Sequence, residues 1–390
     1  MSRWIAAAGA FVMSLDSMVN IAFPAMAAAF AVAPEQIRWV IVCYVGTYAL
    51  MSFVAGALAD VLGHGRVFRA GLVLSALGFL VVAEAPRFGW VLLGRMVQGL
   101  GGGMVYGTAP GIVTLAAAPS ERGRALGFFN AAFGSAFAVG PLVAGLMVQT
   151  LGWRSVFHAR VPLAVLVLAW ALWSLPRVAP GGSPRLVKPH EVLRLEILHA
   201  GALSFVASAG IFAVWLLAPF YLVSRRGLDA GVAGAVFMLT PLGTALAAPL
   251  AGRMADRVGP RVPMIAGLVL EALGLLAMSR AETDTGLPLV AGALFAAGFG
   301  LGVFQVPNMT WIMAAFAPGQ QGAAGGVAFL TRTLGVVAGV LGLSAVFGAR
   351  RAALGFDAAF AGTFTLAAIA VGAAGLVAFI GPRHGARAES

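Results

Sequence analysis

Residues 56–74 read GALADVLGHGRVFRAGLVL, and residues 252–270 read GRMADRVGPRVPMIAGLVL. The second stretch follows the first at an offset of 196 positions without a gap. It repeats Gly56 as Gly252, Ala59 as Ala255, Asp60 as Asp256, Gly63 as Gly259, and then the run Ala-Gly-Leu-Val-Leu. Each copy begins where one long apolar run ends and stops where the next begins. A loop motif repeated half a chain apart between apolar runs marks a membrane protein built from two related halves.

The composition around the repeat agrees. Of the 390 residues, 61% are hydrophobic and 10% charged, and the mean hydropathy is +0.95. A soluble domain carries roughly 25% charged residues, so most of this chain cannot face water. A spanning helix needs about 20 apolar residues. Twelve such runs are present, at roughly 4–29, 36–59, 67–85, 88–115, 123–149, 155–176, 197–222, 230–252, 262–280, 287–315, 323–348 and 358–381. Between the sixth and seventh lies a polar stretch with Pro180, Pro184, Pro189 and Gly181-Gly182-Ser183. The expected fold is all-α: twelve transmembrane helices in two pseudo-symmetric six-helix bundles. The expected division is an N-terminal bundle over 1–176, a cytoplasmic linker over 177–196, and a C-terminal bundle with a short cytoplasmic tail over 197–390.

The net charge of +11 does not indicate nucleic acid, because the basic residues sit in short loops with no basic face or tail. With the N-terminus inside, the inner loops and ends hold fourteen Lys and Arg. The outer ones hold nine: Arg38, Arg87, Arg154, Arg160, Arg225, Arg226, Arg280, Arg350 and Arg351. The basic excess places both termini in the cytoplasm. A single cysteine, Cys43, excludes a disulfide framework, and the five histidines show no metal-ligand spacing. No nucleophile–base pair and no Walker-type segment appear. The sequence therefore implies no cofactor, no metal and no enzyme. The partners expected are the lipid bilayer, a small-molecule substrate and protons, with the chain a monomer.

Charges inside the apolar runs point to the chemistry. Asp16 sits mid-way along the first run, where an ionised group costs about 2.5–3.5 kcal/mol on insertion scales unless it is paired, neutral or wet. It is the candidate proton carrier, and Asn20 lies one turn along the same face. Arg95 opens the fourth run and stays charged, so Asp16 is its expected partner, with Gln98 three residues on. Glu271, mid-way along the ninth run, is expected to be structural, with proton involvement as the alternative. Arg332 in the eleventh is expected to meet substrate or pair with a carbonyl. His158 and Arg160 are expected to snorkel at the outer end of the sixth. Tyr44, Trp215, Gln305, Asn308 and Trp311, with Asn20, Gln98 and Arg332, would line a largely apolar cavity suited to lipophilic compounds.

Four motifs carry a family resemblance. Gly56-x-Leu-Ala-Asp60-x2-Gly63-x2-Arg66 and its echo Gly252-x2-Ala-Asp256-Arg257-x-Gly259-x-Arg261 are similar to the cytoplasmic signature loops of the major facilitator superfamily. Arg95-x2-Gln98-Gly99 is similar to its fourth-helix motif, which the family links to proton movement. Gly134-x5-Gly140-Pro141-x2-Ala144-Gly145 is similar to its fifth-helix antiporter motif, and Leu15-Asp16-x3-Asn20-x-Ala22-x-Pro24 to the first-helix motif of drug:proton antiporters. The resemblance spans the whole chain. It implies the major facilitator fold, a bacterial inner-membrane location, alternating access, and proton-coupled export of lipophilic or amphipathic compounds. It also implies gating by the loop residues Gly56, Asp60, Gly63, Arg66, Asp256, Arg257 and Arg261. Val61 and His64 stand where the first signature usually has basic residues. The scattered arginines Arg38, Arg154, Arg160 and Arg332 motivate an alternative, transport of an anionic lipid or metabolite.

Overall fold

The computed structural model describes residues 1–117, 121–175, 193–316 and 321–380, without the side chains of residues 53, 57, 60, 122, 123, 126, 127 and 321–323. The Asp60 side chain and most of the expected linker lie outside the described residues. The first span is α1 (Ser2–Ser14) and α2 (Met18–Ala29), joined by a 3₁₀ turn at Leu15–Ser17. Then follow α3 (Arg38–Leu62), α4 (His64–Ala83), α5 (Phe88–Leu115), α6 (Arg122–Leu151), the one-turn α7 (Ser155–His158) and α8 (Arg160–Ser174). The second bundle opens with α9 (Leu195–Pro219), continued by a π turn at Phe220–Arg225. It goes on through α10 (Ala230–Phe237), α11 (Leu239–Val258), α12 (Arg261–Ser279), α13 (Leu287–Ala314) and α14 (Gln321–Ile380).

Ten helical stretches among the described residues are long and apolar enough to cross a membrane. One of them, Ala324–Ile380, folds back at Gly355, where the backbone leaves helical geometry (φ 82°, ψ −179°), and so supplies two rods. Helix α5 is 28 residues long, yet Arg95, Gln98 and its glycine run hold down its hydropathy. Counting it, twelve spans form two six-helix bundles.

The repeated glycines of the opening motif have a backbone cause. Gly63 and Gly259 turn the chain between the second and third spans of each bundle at φ 89° and 79°. Gly152 and Gly355 do the same between the fifth and sixth, at φ 80° and 82°. At positive φ with extended ψ, a side chain costs about 1–3 kcal/mol of strain. We expect Gly152→Ala and Gly355→Ala each to lower the midpoint of thermal unfolding in detergent. An unchanged midpoint would show that these turns relax freely.

Within each bundle one helix is squeezed between two others: α5 between α3 and α4, and α13 between α11 and α12. The close approach needs glycine. A Cβ on Gly99 of α5 would strike the Thr47 hydroxyl of α3, and one on Gly298 of α13 would strike the Thr240 carbonyl of α11. In lipid, packing of this kind replaces the hydrophobic effect as the force between helices.

The two bundles meet on the face opposite the chain termini. There Glu35 pairs with Arg351 at 2.9 Å, Arg38 donates to the Ser344 hydroxyl at 3.4 Å, and the Gln149 amide oxygen accepts from the Gly231 N–H at 3.2 Å. Gly145 of α6 lies against the Ala230 carbonyl, and Gly234 of α10 against the Pro141 carbonyl. On the face of the termini, Arg66, Asp256 and Arg257 are exposed. They take part in no ion pair among the described residues. Arg261 instead donates to the Ala378 and Phe379 carbonyls at the end of α14, within its own bundle.

Candidate functional site

The 3₁₀ turn in the first span brings Asp16 into the space between the bundles. Ser14 bonds back to the Ala10 carbonyl at 2.8 Å, and Asn20 donates to the Ser17 carbonyl at 3.2 Å. Side chains bonding to nearby carbonyls in this way loosen a regular helix. Pro24, one turn on, removes a further donor. A helix interrupted mid-span suits a functional hinge.

Arg95 clamps Asp16 in a bidentate pair, Nη1 to Oδ1 at 2.6 Å and Nη2 to Oδ2 at 2.8 Å. Gln98 joins from the next turn of α5. Its Nε2 donates to Asp16 Oδ1 at 2.8 Å, while its Oε1 accepts from Arg95 Nη1 at 3.0 Å. Arg95 Nε donates to the Val40 carbonyl of α3 at 3.0 Å, and its guanidinium lies 4.2 Å over the Tyr44 ring. A fork of this kind, paired on one edge and stacked on a π face, suits arginine and not lysine.

A second guanidinium reaches the same carboxylate. Arg160 Nη1 donates to Asp16 Oδ1 at 3.0 Å, and the Arg160 ring neighbour is Phe79, 4.1 Å from the guanidinium carbon. Arg160 is wholly buried, which corrects the expectation of interfacial snorkelling. Its side chain is 0% exposed, against 2% for Arg95 and 17% for Asp16. The reason is geometric. The chain turns at Gly152 and descends through α7, so Arg160 lies eight residues, about 12 Å, below the turn. A signal was present in the sequence: 16 residues separate Arg160 from Arg177, too few to cross about 30 Å of hydrocarbon. Arg160 therefore had to lie inside the apolar thickness. Its transfer leaves eight outer basic residues against fourteen inner. Arg154 stays at the turn, bonded to the Ala85 carbonyl, and exposed His158 pairs with Glu84 at 2.7 Å.

Next to the charges runs a chain of aromatic rings. Tyr44 stacks on Tyr48 at 5.8 Å, and Tyr48 meets Tyr106 edge-on at 5.2 Å and Phe329 of the other bundle at 5.3 Å. Tyr106 leads through Phe133 and Phe137 to Trp215, 4.9 Å from Phe137 in the second bundle. The Tyr106 and Ser14 hydroxyls are 2.9 Å apart. Tyr48, beside Tyr44 in the second run, is a pore-facing candidate in the sequence, whereas nothing there singles out Tyr106. An isolated tyrosine in an apolar run gives no sign of which face it takes.

The other expected residues divide. Arg332 is exposed, one turn beyond Phe329, whose ring meets Tyr48 of the first bundle at 5.3 Å. Gln305 is half-buried. Asn308 is buried with its Oδ1 lacking a partner, and Trp311 is buried on the same helix. Asn20 is spent on the backbone of its own turn. Glu271 is fully buried, and neither of its carboxyl oxygens has a hydrogen-bond partner. Of the antiporter-motif glycines, Gly140 packs against Ser17 and Met18, beside Asp16, and Gly145 against the other bundle. Gly134 makes no such close approach: a Cβ there would meet nothing within 4 Å. The same holds for Gly56.

Comparison with known proteins places this arrangement. The Major Facilitator Superfamily pattern matches residues 5–202 and again residues 200–390. The chain belongs to the major facilitator superfamily. It is 26% identical to the riboflavin transporter RibZ of Clostridioides difficile, covering 84% of this chain and 83% of that one. It is 27% identical to the multidrug resistance protein Stp of Mycobacterium tuberculosis, over 84% and 72%. It is also 27% identical to the puromycin resistance protein pur8 of Streptomyces alboniger, over 85% and 79%. Among solved structures the fold resembles the nucleoside transporter NupG (TM-score 0.76, 14% identity, 96% of this chain and 100% of that one). The chain is thus a multi-pass membrane transporter of this superfamily.

Proposed function

We propose that this transporter exports lipophilic or amphipathic small molecules in exchange for protons, by alternating access. The observation that carries the reading is Asp16, a carboxylate on a mid-span helix break, partly open to the gap and clamped by two guanidiniums. Taking a proton there gives up two ion pairs, so protonation and rearrangement of the first span are linked. The export direction is supported by the antiporter-like motif, whose Gly140 seats α6 on the turn that carries Asp16. It is supported too by relatives named for multidrug and puromycin resistance.

In this reading the moving bodies are 1–176 and 197–390, tied by 177–196, with both termini in the cytoplasm of a bacterial cell and the monomer as the working unit. The Glu35–Arg351 pair and the Gly145 seam close the outer side. The loop motifs at Asp60 and Asp256 lock the inner side once the outer side opens. The test is reconstitution in proteoliposomes with a lipophilic fluorescent dye and an internal pH indicator. An imposed pH gradient is expected to move dye against protons, with the two signals collapsing together under a protonophore. Dye movement indifferent to the gradient would overturn proton coupling.

A further inference from the structure

The gap between the bundles carries an excess of positive charge. Arg95 and Arg160 both hold Asp16, and exposed Arg332 lies one turn beyond Phe329, whose ring meets Tyr48 of the other bundle; among the described residues Asp16 is the carboxylate that these three arginines share the gap with. Asp16 is already shared by two of them. Arg160 Nε is buried without a partner. Arg332 is exposed and has no carboxylate within salt-bridge distance among the described residues. A guanidinium cannot shed its charge, and inside the apolar thickness it calls for an anion or water. A cationic ligand entering here meets a net charge of the same sign, and a neutral one leaves Arg332 unmatched.

The ring geometry is as specific as the charge. Phe329 lies one turn before Arg332 on the same face of α14, and its ring meets Tyr48 of the first bundle at 5.3 Å. Tyr48 in turn stacks on Tyr44 with 8° between the planes. Three of the chain's four tyrosines, Tyr44, Tyr48 and Tyr106, gather there in ring contact, and the Arg95 guanidinium lies over the first of them. Aromatic faces of this kind bind other flat rings in offset or edge-on contact.

We propose that the gap binds planar aromatic compounds carrying an anionic group, with Arg332 taking the anion while Tyr48 and Phe329 hold the ring. This names the substrate class for the transport path proposed above and rests on that path running through the gap. Its test is a binding measurement that needs no transport.

The probes are three anthracenes of one ring and three charges: anthracene-9-carboxylate, 9-anthracenemethanol and 9-aminomethylanthracene. Each is titrated by fluorescence onto purified full-length protein in detergent. The carboxylate is expected to bind about tenfold or more tighter than the alcohol, as a hydrogen bond to a charged group allows, and the amine weakest. Arg332→Gln is expected to remove the preference for the carboxylate and leave the alcohol unchanged, while Arg332→Lys keeps most of it. Tyr48→Leu is expected to weaken carboxylate and alcohol alike. An amine that binds as tightly as the carboxylate overturns the proposal. So does an Arg332→Gln protein of normal melting temperature with full carboxylate affinity, or a failure of all three probes to bind. Carboxylate selectivity in a protein that moves nothing in response to a pH gradient leaves this proposal standing and overturns proton-coupled export instead.

Discussion

Asp16→Asn is expected to reduce pH-driven transport in proteoliposomes to background. The amide keeps the size of the carboxylate and one acceptor for Arg95, but it cannot carry a proton. It also removes the negative charge shared by two buried guanidiniums. Breaking a buried ion pair by removing one partner costs about 3–5 kcal/mol. With Asp16 at 17% exposure, the low end of that range applies, and a lower melting temperature is expected beside the loss of coupling. The two effects are separable. Asp16→Asn combined with Arg160→Gln returns the cluster to its original net charge, and it should recover much of the stability while leaving transport uncoupled. Asp16→Glu keeps the charge and should retain partial coupling. If Asp16→Asn supports undiminished pH-driven transport, the proton is carried elsewhere, and Glu271, buried with both oxygens unpartnered, is the next residue to replace.

The Asp16–Arg95–Gln98 cluster was legible in sequence because polar residues in an apolar span are few and cannot stay unmatched. Asp16 needed a cation, Arg95 needed an anion, and the helix period put Gln98 on the same face as Arg95. Arg160 escaped that logic because its distance from the membrane surface depends on where the chain turns, and that is fixed by the positive φ at Gly152. The repeat showed that Gly63 and Gly259 matter, and the structure supplies the reason in their backbone angles. The same reasoning extends to Gly152 and Gly355, which share a place in the topology but no sequence motif. The meeting of the bundles could not be read at all. Glu35 and Arg351 are separated by 316 positions, and the apolar pattern of a span does not say which bundle its faces meet. Gly134 shows the opposite limit: a glycine inside a motif, with open space around it, gains no packing role from its spacing.

Gly145→Val is expected to hold the outer side open. Gly145 of α6 lies against the Ala230 carbonyl and the Gly231 Cα of α10, backbone atoms that cannot move aside as a flexible side chain can. This seam exists when the two bundles close on the face opposite the termini, so a wedge there penalises one conformation and spares the other. Overpacking a tight contact costs about 1–3 kcal/mol. At about 1.4 kcal/mol per tenfold, that shifts the equilibrium between the two states by roughly fivefold to over a hundredfold. Spin labels at Arg87→Cys and Thr283→Cys, both exposed on that face in different bundles, with Cys43→Ser, read the separation directly. Gly145→Val should add a longer distance to the distribution and slow transport, since a carrier that cannot close cannot complete its cycle. Gly134→Val, on the same helix with nothing within 4 Å of a new Cβ, should change neither. An unaltered distance distribution in Gly145→Val, with Gly134→Val as the matched control, would mean that the seam is a passive contact and that closure is governed by the Glu35–Arg351 pair.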